Sequence, residues 1–94
     1  MSMEELRTLV IYDIVDDRLR VKIANACFDY GLQRIQYSAF FGRLNRNRRE
    51  ELFLRLRRTL GPEYGKLLVQ PMCEKDAGQQ LLHVHEAPRG SGEE

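Results

Sequence analysis

The strongest constraint on the fold is an apolar run near the start of the sequence. Residues 8–14 read TLVIYDI, and their β-branched and aromatic side chains favour a β-strand. Both sides of this strand are apolar, with Leu9 and Ile11 on one side and Val10 and Tyr12 on the other. A strand that is apolar on both sides is usually central in its sheet. We therefore expect this segment to be the centre of a β-sheet.

Three carboxylates follow within five residues, and they need not share one role. Asp13 falls at the end of the strand, where it is either a functional group or an ordinary solvated side chain. Mg²⁺ is commonly held by one or two carboxylates together with water and substrate phosphate. A second ligand beside Asp13 would come from Asp16, Asp17 or another protomer. One of that pair can instead cap the helix that begins here.

The size and composition of the chain narrow its class. Ninety-four residues suit a single domain, and a domain this small gains from forming an oligomer. No apolar run approaches the roughly 20 residues needed to span a bilayer, and residues 1–6 lack a signal-peptide core. We expect a cytoplasmic protein without a membrane segment. Cys27 and Cys73 are too few for a disulfide framework, and Cys27 is predicted to pack in the core.

Two helices are predicted from apolar stripes of helical period. The first covers residues 17–30, and Gly31 follows it where a left-handed C-cap is typical. The second runs from a cap at Asn45 or Asn47 to residue 60, before a Gly-Pro pair.

The remaining periodic segments are predicted to be strands. Residues 32–44 are extended but long for one strand, so we expect two strands with a tight turn near 36–38. A further strand covers 66–70 and is stopped by Pro71, and a last extended segment covers 80–85.

This order predicts an α+β fold, a ferredoxin-like βαββαβ sandwich. Its antiparallel sheet would carry two helices on one face and an extra C-terminal strand. We expect one domain over residues 1–86, with a polar loop at 74–78, and a disordered acidic tail over 87–94. The uncovered sheet face predicts a homodimer in which the extra strand pairs with the partner's sheet.

Arginine is concentrated in the second helix. Between residues 43 and 58 the chain has seven arginines against two glutamates, although its net charge is only +1. Such a run is usually a solvated helix face, but this excess favours contact with nucleic-acid phosphates. The predicted nucleic-acid-binding residues are Arg46, Arg49, Arg55, Arg57 and Arg58.

Two motifs resemble one known family. They are YDI-x-DD at residues 12–17 and RIQYSAF at residues 34–40, separated by one helix. Together they resemble the Cas2 family of small CRISPR-associated adaptation proteins, and the likeness covers about residues 7–72.

The resemblance implies a function as well as a fold. Family members are homodimers in which the first-strand aspartates face each other. They are described as Mg²⁺-dependent (or Mn²⁺-dependent) endonucleases acting on RNA or DNA. They also form the central dimer of a complex with the integrase Cas1, which inserts captured DNA during spacer acquisition in antiviral defence.

The resemblance also implies roles for particular residues. The metal ligand would be Asp13, and Lys22 stands where some members carry arginine. The implied catalytic residues are Asp13, Tyr12, Arg20, Arg34, Ser38 and Phe40.

Each of these side chains also has a structural interpretation. Tyr12 can be core filler, and Arg34 on the open sheet face can pair with a carboxylate of the partner. Ser38 can bond the turn backbone, and Phe40 is expected at the dimer interface rather than stacked on a base.

Two alternatives to the nuclease remain open. One is a non-catalytic DNA-binding scaffold of the integration complex, and the other is a ferredoxin-like regulatory module for a small ligand.

Overall fold

The computed structural model describes residues 4–83 and 85, which form four strands and three helices. In chain order these are β1 (Glu5–Ile14), α1 (Asp17–Asp29), β2 (Gln33–Gln36), β3 (Ala39–Asn45), α2 (Arg46–Leu60), β4 (Gly65–Met72) and α3 (Glu74–Ala77).

The four strands form one antiparallel sheet with β1 near its centre. The order is β2-β3-β1-β4, and β1 pairs with β3 on one side and with β4 on the other. Val10 lies opposite Phe40 of β3 and Val69 of β4. This is the ferredoxin-like βαββαβ order, so the predicted fold class and the central position of β1 are confirmed.

Alternation along β1 separates the two faces of the sheet. Val10 and Tyr12 are buried, whereas Ile11 is 38% exposed and Asp13 is exposed. The two long helices, α1 and α2, contribute to the core on the Val10 side of the sheet. The opposite side of the sheet, which we call the open face, is not covered by α1 or α2. Only the one-turn helix α3 lies against it among the described helices, at the end of the sheet where Arg7 pairs with Arg43.

The core lies between the sheet and the two long helices. Cys27 of α1 and Leu52 of α2 are fully buried with Val10 and Phe40 of the sheet. Burial of one such aliphatic side chain contributes about 1.5–3 kcal/mol, so these contacts fix the helices on the sheet. The prediction that Cys27 packs in the core is confirmed.

Local capping rules set the helix ends. Asp16 accepts a hydrogen bond from the Leu19 backbone N–H at 3.0 Å, and Asn45 accepts one from the Arg48 N–H at 2.8 Å. Asn45, rather than Asn47, is therefore the second cap. Gly31 adopts φ +80° just beyond α1, as its sequence position predicts.

The C-terminal third departs from the sequence prediction. Pro71 does not stop β4, because β4 is an edge strand and a proline there need not donate to a neighbour. The polar segment after it forms the one-turn helix α3, where Cys73 Sγ accepts from the Asp76 N–H.

The extra strand over residues 80–85, predicted to pair with the sheet of a second copy, stays a prediction, because the structure contains one copy of the chain. Residues 80–83 and 85 have no strand pairing, and residue 84 lies outside the described residues. Buried Ala77 and the ion pair of Glu74 with Arg43 hold α3 against the sheet. The chain therefore turns away from the edge of β4 at α3.

The predicted tail, residues 87–94, lies outside the described residues. None of the helices described is both long and apolar enough to cross a membrane.

We expect the two cysteines to differ sharply in reactivity. Burial raises the pKa of the Cys27 thiol to about 12, whereas Cys73 is exposed. Because the thiolate is the reactive form, a thiol-reactive dye should modify Cys73 rapidly and Cys27 only after unfolding. Cys73→Ser should abolish the rapid phase and Cys27→Ser should retain it. Two rapid phases in the folded wild type would contradict this packing.

Candidate functional site

The three carboxylates at the junction of β1 and α1 have separate surroundings. Asp13 lies on the open face, in register with Lys66 of β4. Asp16 caps α1, and Asp17 forms an ion pair with Arg20. Their side chains are therefore not gathered around one point.

Asp13 fits a divalent cation only as one ligand among several. Within the part of the chain described here, no group of three or more histidine, cysteine, aspartate or glutamate side chains could hold a metal ion. Asp16 and Asp17 are committed elsewhere. An exposed carboxylate of this kind suits Mg²⁺ when water, substrate phosphate or a second copy supplies the remaining oxygens.

Arg20 ties α1 to the end of β1. Its Nη1 atom donates to the carbonyl oxygens of Ile14 and Val15, both at 2.7 Å, and its Nη2 atom pairs with Asp17. The two carbonyls directly follow Asp13 in the chain. Arg20 therefore fixes the backbone next to Asp13, and we call this arrangement the Arg20 strap.

Arg34 lies on the helix side of the sheet, so its predicted position on the open face is wrong. It pairs in register with Phe40, whose side chain is in the core. Its guanidinium carbon is 5.2 Å from the centroid of the Phe40 ring and 5.7 Å from that of Phe28. These distances place the cation over two aromatic rings.

Tyr12 lies beside Arg34 and away from Asp13, although it precedes Asp13 in sequence. Tyr12 is only 3% exposed, and burial raises its pKa above the usual value while the nearby Arg34 opposes that shift. The phenol is therefore a neutral hydroxyl at physiological pH. Successive residues of a strand point to opposite faces, so Tyr12 and Asp13 cannot act on one group from the same side.

The structure brings three predicted residues into one recess of about 450 Å³, which we call the α1–β2 recess. Tyr12, Arg20 and Arg34 line it together with Tyr37, which the sequence analysis did not select. Tyr37 is 70% exposed in the turn between β2 and β3. The sequence signal that could have identified Tyr37 is a large aromatic side chain in a two-residue turn, where it does not pack in the core.

Phe40 and Ser38 have structural roles: Phe40 packs in the core and Ser38 bonds the backbone of β1. Phe40 is fully buried within one copy, so its predicted place at a dimer interface is wrong. Its ring stacks with Tyr12 at a centroid distance of 6.3 Å. Ser38 contributes its backbone carbonyl, which accepts from the Tyr12 N–H at 3.1 Å. Both residues thus support the Tyr12 side of the recess.

The arginines of α2 are not equally available. Arg46 pairs with Glu50 at 3.1 Å, and Arg55 pairs with Asp29 of α1 at 2.9 Å.

Arg49 donates to the Leu44 carbonyl at 3.4 Å. Arg57 and Arg58 are exposed and have no carboxylate within salt-bridge distance among the described residues. Two carboxylates from elsewhere in the chain also pair with arginines of this run, Asp29 with Arg55 and Glu74 with Arg43. The local excess of positive charge is therefore smaller than the sequence indicates.

Comparison with known proteins assigns the family. The family described as CRISPR associated protein Cas2 matches residues 6–80. The chain belongs to the Cas2 family. It is similar to a CRISPR-associated endoribonuclease Cas2 of Desulforudis audaxviator, with 52% identity over 95% of this chain and 82% of the relative.

Two further similarities bear on fold and assembly. A hypothetical protein from Thermus thermophilus, known from its crystal structure, superposes with a TM-score of 0.73 at 33% identity, over 90% of this chain and 96% of that one. A Cas1/Cas2 endonuclease fusion of Thermoproteus tenax is 44% identical over 55% of this chain and 20% of the fusion. The ferredoxin-like fold is thus shared with a solved relative.

The Arg20 strap predicts a specific loss of stability. Arg20→Ala should lower the free energy of unfolding by about 1–2 kcal/mol, since hydrogen bonds from a charged donor are lost at a partly exposed site. Arg18→Ala, on the same helix but exposed, should change it by less than about 0.5 kcal/mol. Urea denaturation followed by circular dichroism measures both. Equal midpoints for the two variants would show that the strap does not stabilise the junction.

Proposed function

We propose that this Cas2 family member is a nuclease of CRISPR spacer acquisition that hydrolyses phosphodiester bonds of RNA or DNA. The observation that carries the proposal is the position of Asp13, exposed on the sheet face that the two long helices leave uncovered. The chain's similarity to the Desulforudis endoribonuclease over nearly its whole length supports the chemistry.

The active form in this proposal is a homodimer that buries the open face. Ile11 and Leu68 lie side by side there, at 38% and 47% exposure, with half-buried Leu9 beside them. Covering these side chains with a second copy removes apolar surface from water. The same contact can bring two Asp13 side chains together near a twofold axis.

Two facing carboxylates suit a shared Mg²⁺ or Mn²⁺ ion. Their like charges would repel each other, and a cation relieves that repulsion. When bound, such an ion supplies Lewis-acid catalysis and a water molecule of lowered pKa. This chain's own contribution is to hold Asp13 at the end of a central strand, with the Arg20 strap fixing the backbone behind it.

Asp13→Asn tests the proposal directly. The variant should lose divalent-metal-dependent cleavage of single-stranded RNA and duplex DNA by at least about a hundredfold, because the amide carries no charge to hold the cation. It should remain folded, since Asp13 is exposed.

Asp76→Asn is the matched control, because it makes the same chemical change at an exposed position of α3. Light scattering should give the same mass for all three proteins. Full cleavage by Asp13→Asn, in preparations freed of contaminating nucleases, would contradict a role for Asp13 in the chemistry.

A second candidate function is a DNA-binding scaffold for the integrase Cas1. The observation that favours it is the exposed pair Arg57 and Arg58, which have no carboxylate partner among the described residues. The fusion of Cas1 and Cas2 in Thermoproteus tenax supports the link to the integrase. Guanidinium groups in this setting suit the phosphates of a duplex backbone.

The double variant Arg57→Gln/Arg58→Gln tests the scaffold role. The slope of log K against log salt concentration is negative, and each lost phosphate contact makes it less steep by about 0.9. The slope of the double variant should therefore be less steep than that of the wild type by about 2. All duplex sequences should weaken about equally. Arg18→Gln, an exposed arginine on α1, serves as the control and should retain the wild-type slope. Coinciding slopes for the double variant and the wild type would exclude this face from duplex binding.

A further inference from the structure

We propose that Lys66 binds the substrate phosphate beside Asp13 and, until that phosphate arrives, weakens the binding of a divalent cation there. The proposal rests on the nuclease function proposed above and adds a substrate-binding residue to its site. It also makes the two ligands depend on each other, because phosphate and cation bind better together than either does alone.

Lys66 lies directly opposite Asp13 on the open face. The two residues are register partners in the antiparallel pair of β4 and β1, and both are exposed. Side chains that stand opposite one another in such a pair share a face, with their Cβ atoms about 4.5–5.5 Å apart. The Lys66 ammonium group is therefore within reach of a phosphate that contacts a cation held by Asp13.

Gly65 keeps the two strands close at this point. A Cβ atom there would lie 3.0 Å from the Ile14 side chain and 3.2 Å from the Asp13 carbonyl oxygen. A larger residue would push β4 away from β1 at the end where Asp13 lies. The Arg20 strap fixes the backbone that follows Asp13. The backbone, rather than a contact between the two side chains, thus sets the positions of Asp13 and Lys66.

Lys66 is available to bind an anion. It forms no salt bridge with a carboxylate of the described residues, Asp13 included. Arg7 and Arg43, the basic residues that β1 and β3 place on this face, lie at its other end, about 20 Å from Asp13 along β1. The lysine ammonium is a compact point charge that donates hydrogen bonds in three directions, which suits a phosphate oxygen.

The local charges make cation binding weak while the phosphate is absent. Asp17 pairs with Arg20, and Asp16 caps α1. Asp13 and Lys66 are then the charged side chains that β1 and β4 place at this end of the open face. The ammonium repels a divalent cation, whereas a bound phosphate attracts both the ammonium and the cation. Each ligand therefore raises the affinity for the other, and this coupling is reciprocal.

Cation binding by the free protein is the first measurement. Electron paramagnetic resonance of Mn²⁺ gives its dissociation constant without substrate and without cleavage. Lys66→Gln should bind Mn²⁺ about fivefold more tightly than the wild type, because a repelling charge is removed. Lys66→Arg keeps the charge and should bind Mn²⁺ like the wild type. Asp13→Asn and the double variant Asp13→Asn/Lys66→Gln should both lose this binding, which assigns the gain to a cation at Asp13.

Phosphate binding is measured on the same proteins in EDTA, so that no cleavage occurs. The probe is a fluorescein-labelled single-stranded oligonucleotide, titrated from low to moderate salt. Lys66→Gln should weaken its binding about fivefold at low salt and make the salt slope less steep by about 0.7, the value for one phosphate contact with a single strand. Lys66→Arg should retain the wild-type slope. Light scattering should give the same mass for every variant.

Lys75→Gln is the matched control, because it makes the same chemical change at an exposed position of α3. It should leave both dissociation constants within about twofold of the wild type, since solvent and salt screen a distant surface charge.

Opposite changes of the two affinities in Lys66→Gln identify the proposed role, because a residue that only supports the fold would lower both. An unchanged affinity of Lys66→Gln for either probe, a loss of both affinities, or equal effects in Lys75→Gln would each overturn the proposal. Neither measurement depends on cleavage. Full cleavage by Asp13→Asn, together with the two opposite changes in Lys66→Gln, would contradict the chemistry assigned to Asp13 and leave the phosphate contact of Lys66 in place.

Discussion

The alternation of side chains along β1 is the constraint on which the molecule depends. Val10 and Tyr12 need a cover of helices, and the core between sheet and helices forms around them. Ile11 and Asp13, on the other parity, are left at the surface. A shift of one residue in the pairing of β1 would exchange the buried and the exposed side chains. Burial of Val10 and Tyr12 on one face therefore also determines that the Asp13 carboxylate lies on the other.

Much of the fold could be predicted because local rules and burial agree. Asp16 and Asn45 have the side chains that cap helices, and Gly31 tolerates the left-handed conformation that ends α1. The turn between β2 and β3 follows from the limited length of strands. These signals are weak around α3, where a polar loop was predicted and a one-turn helix is found. Burial of Ala77 and the ion pair of Glu74 with Arg43, which is distant in sequence, determine the conformation there.

The candidate site was less predictable, because a sequence motif gives the residue types but does not show on which face of the sheet each side chain lies. Neighbouring letters in one motif, Tyr12 and Asp13, are directed to opposite sides of the sheet. The side to which Arg34 belongs depends on its register with Phe40, which the sequence does not specify. The arginine run likewise includes Arg55, whose partner Asp29 lies in another helix.

The junction of β3 and α2 has a consequence for how this chain can vary in length. Asn45 is both the last residue of β3 and the cap of α2, so no loop separates strand from helix. One inserted residue would rotate α2 by about 100° relative to the sheet and carry its apolar stripe out of the core. Arg57 and Arg58 would turn with it. Natural or engineered insertions should therefore be tolerated between α2 and β4, where residues 61–64 form a connecting turn, and be rejected at Asn45.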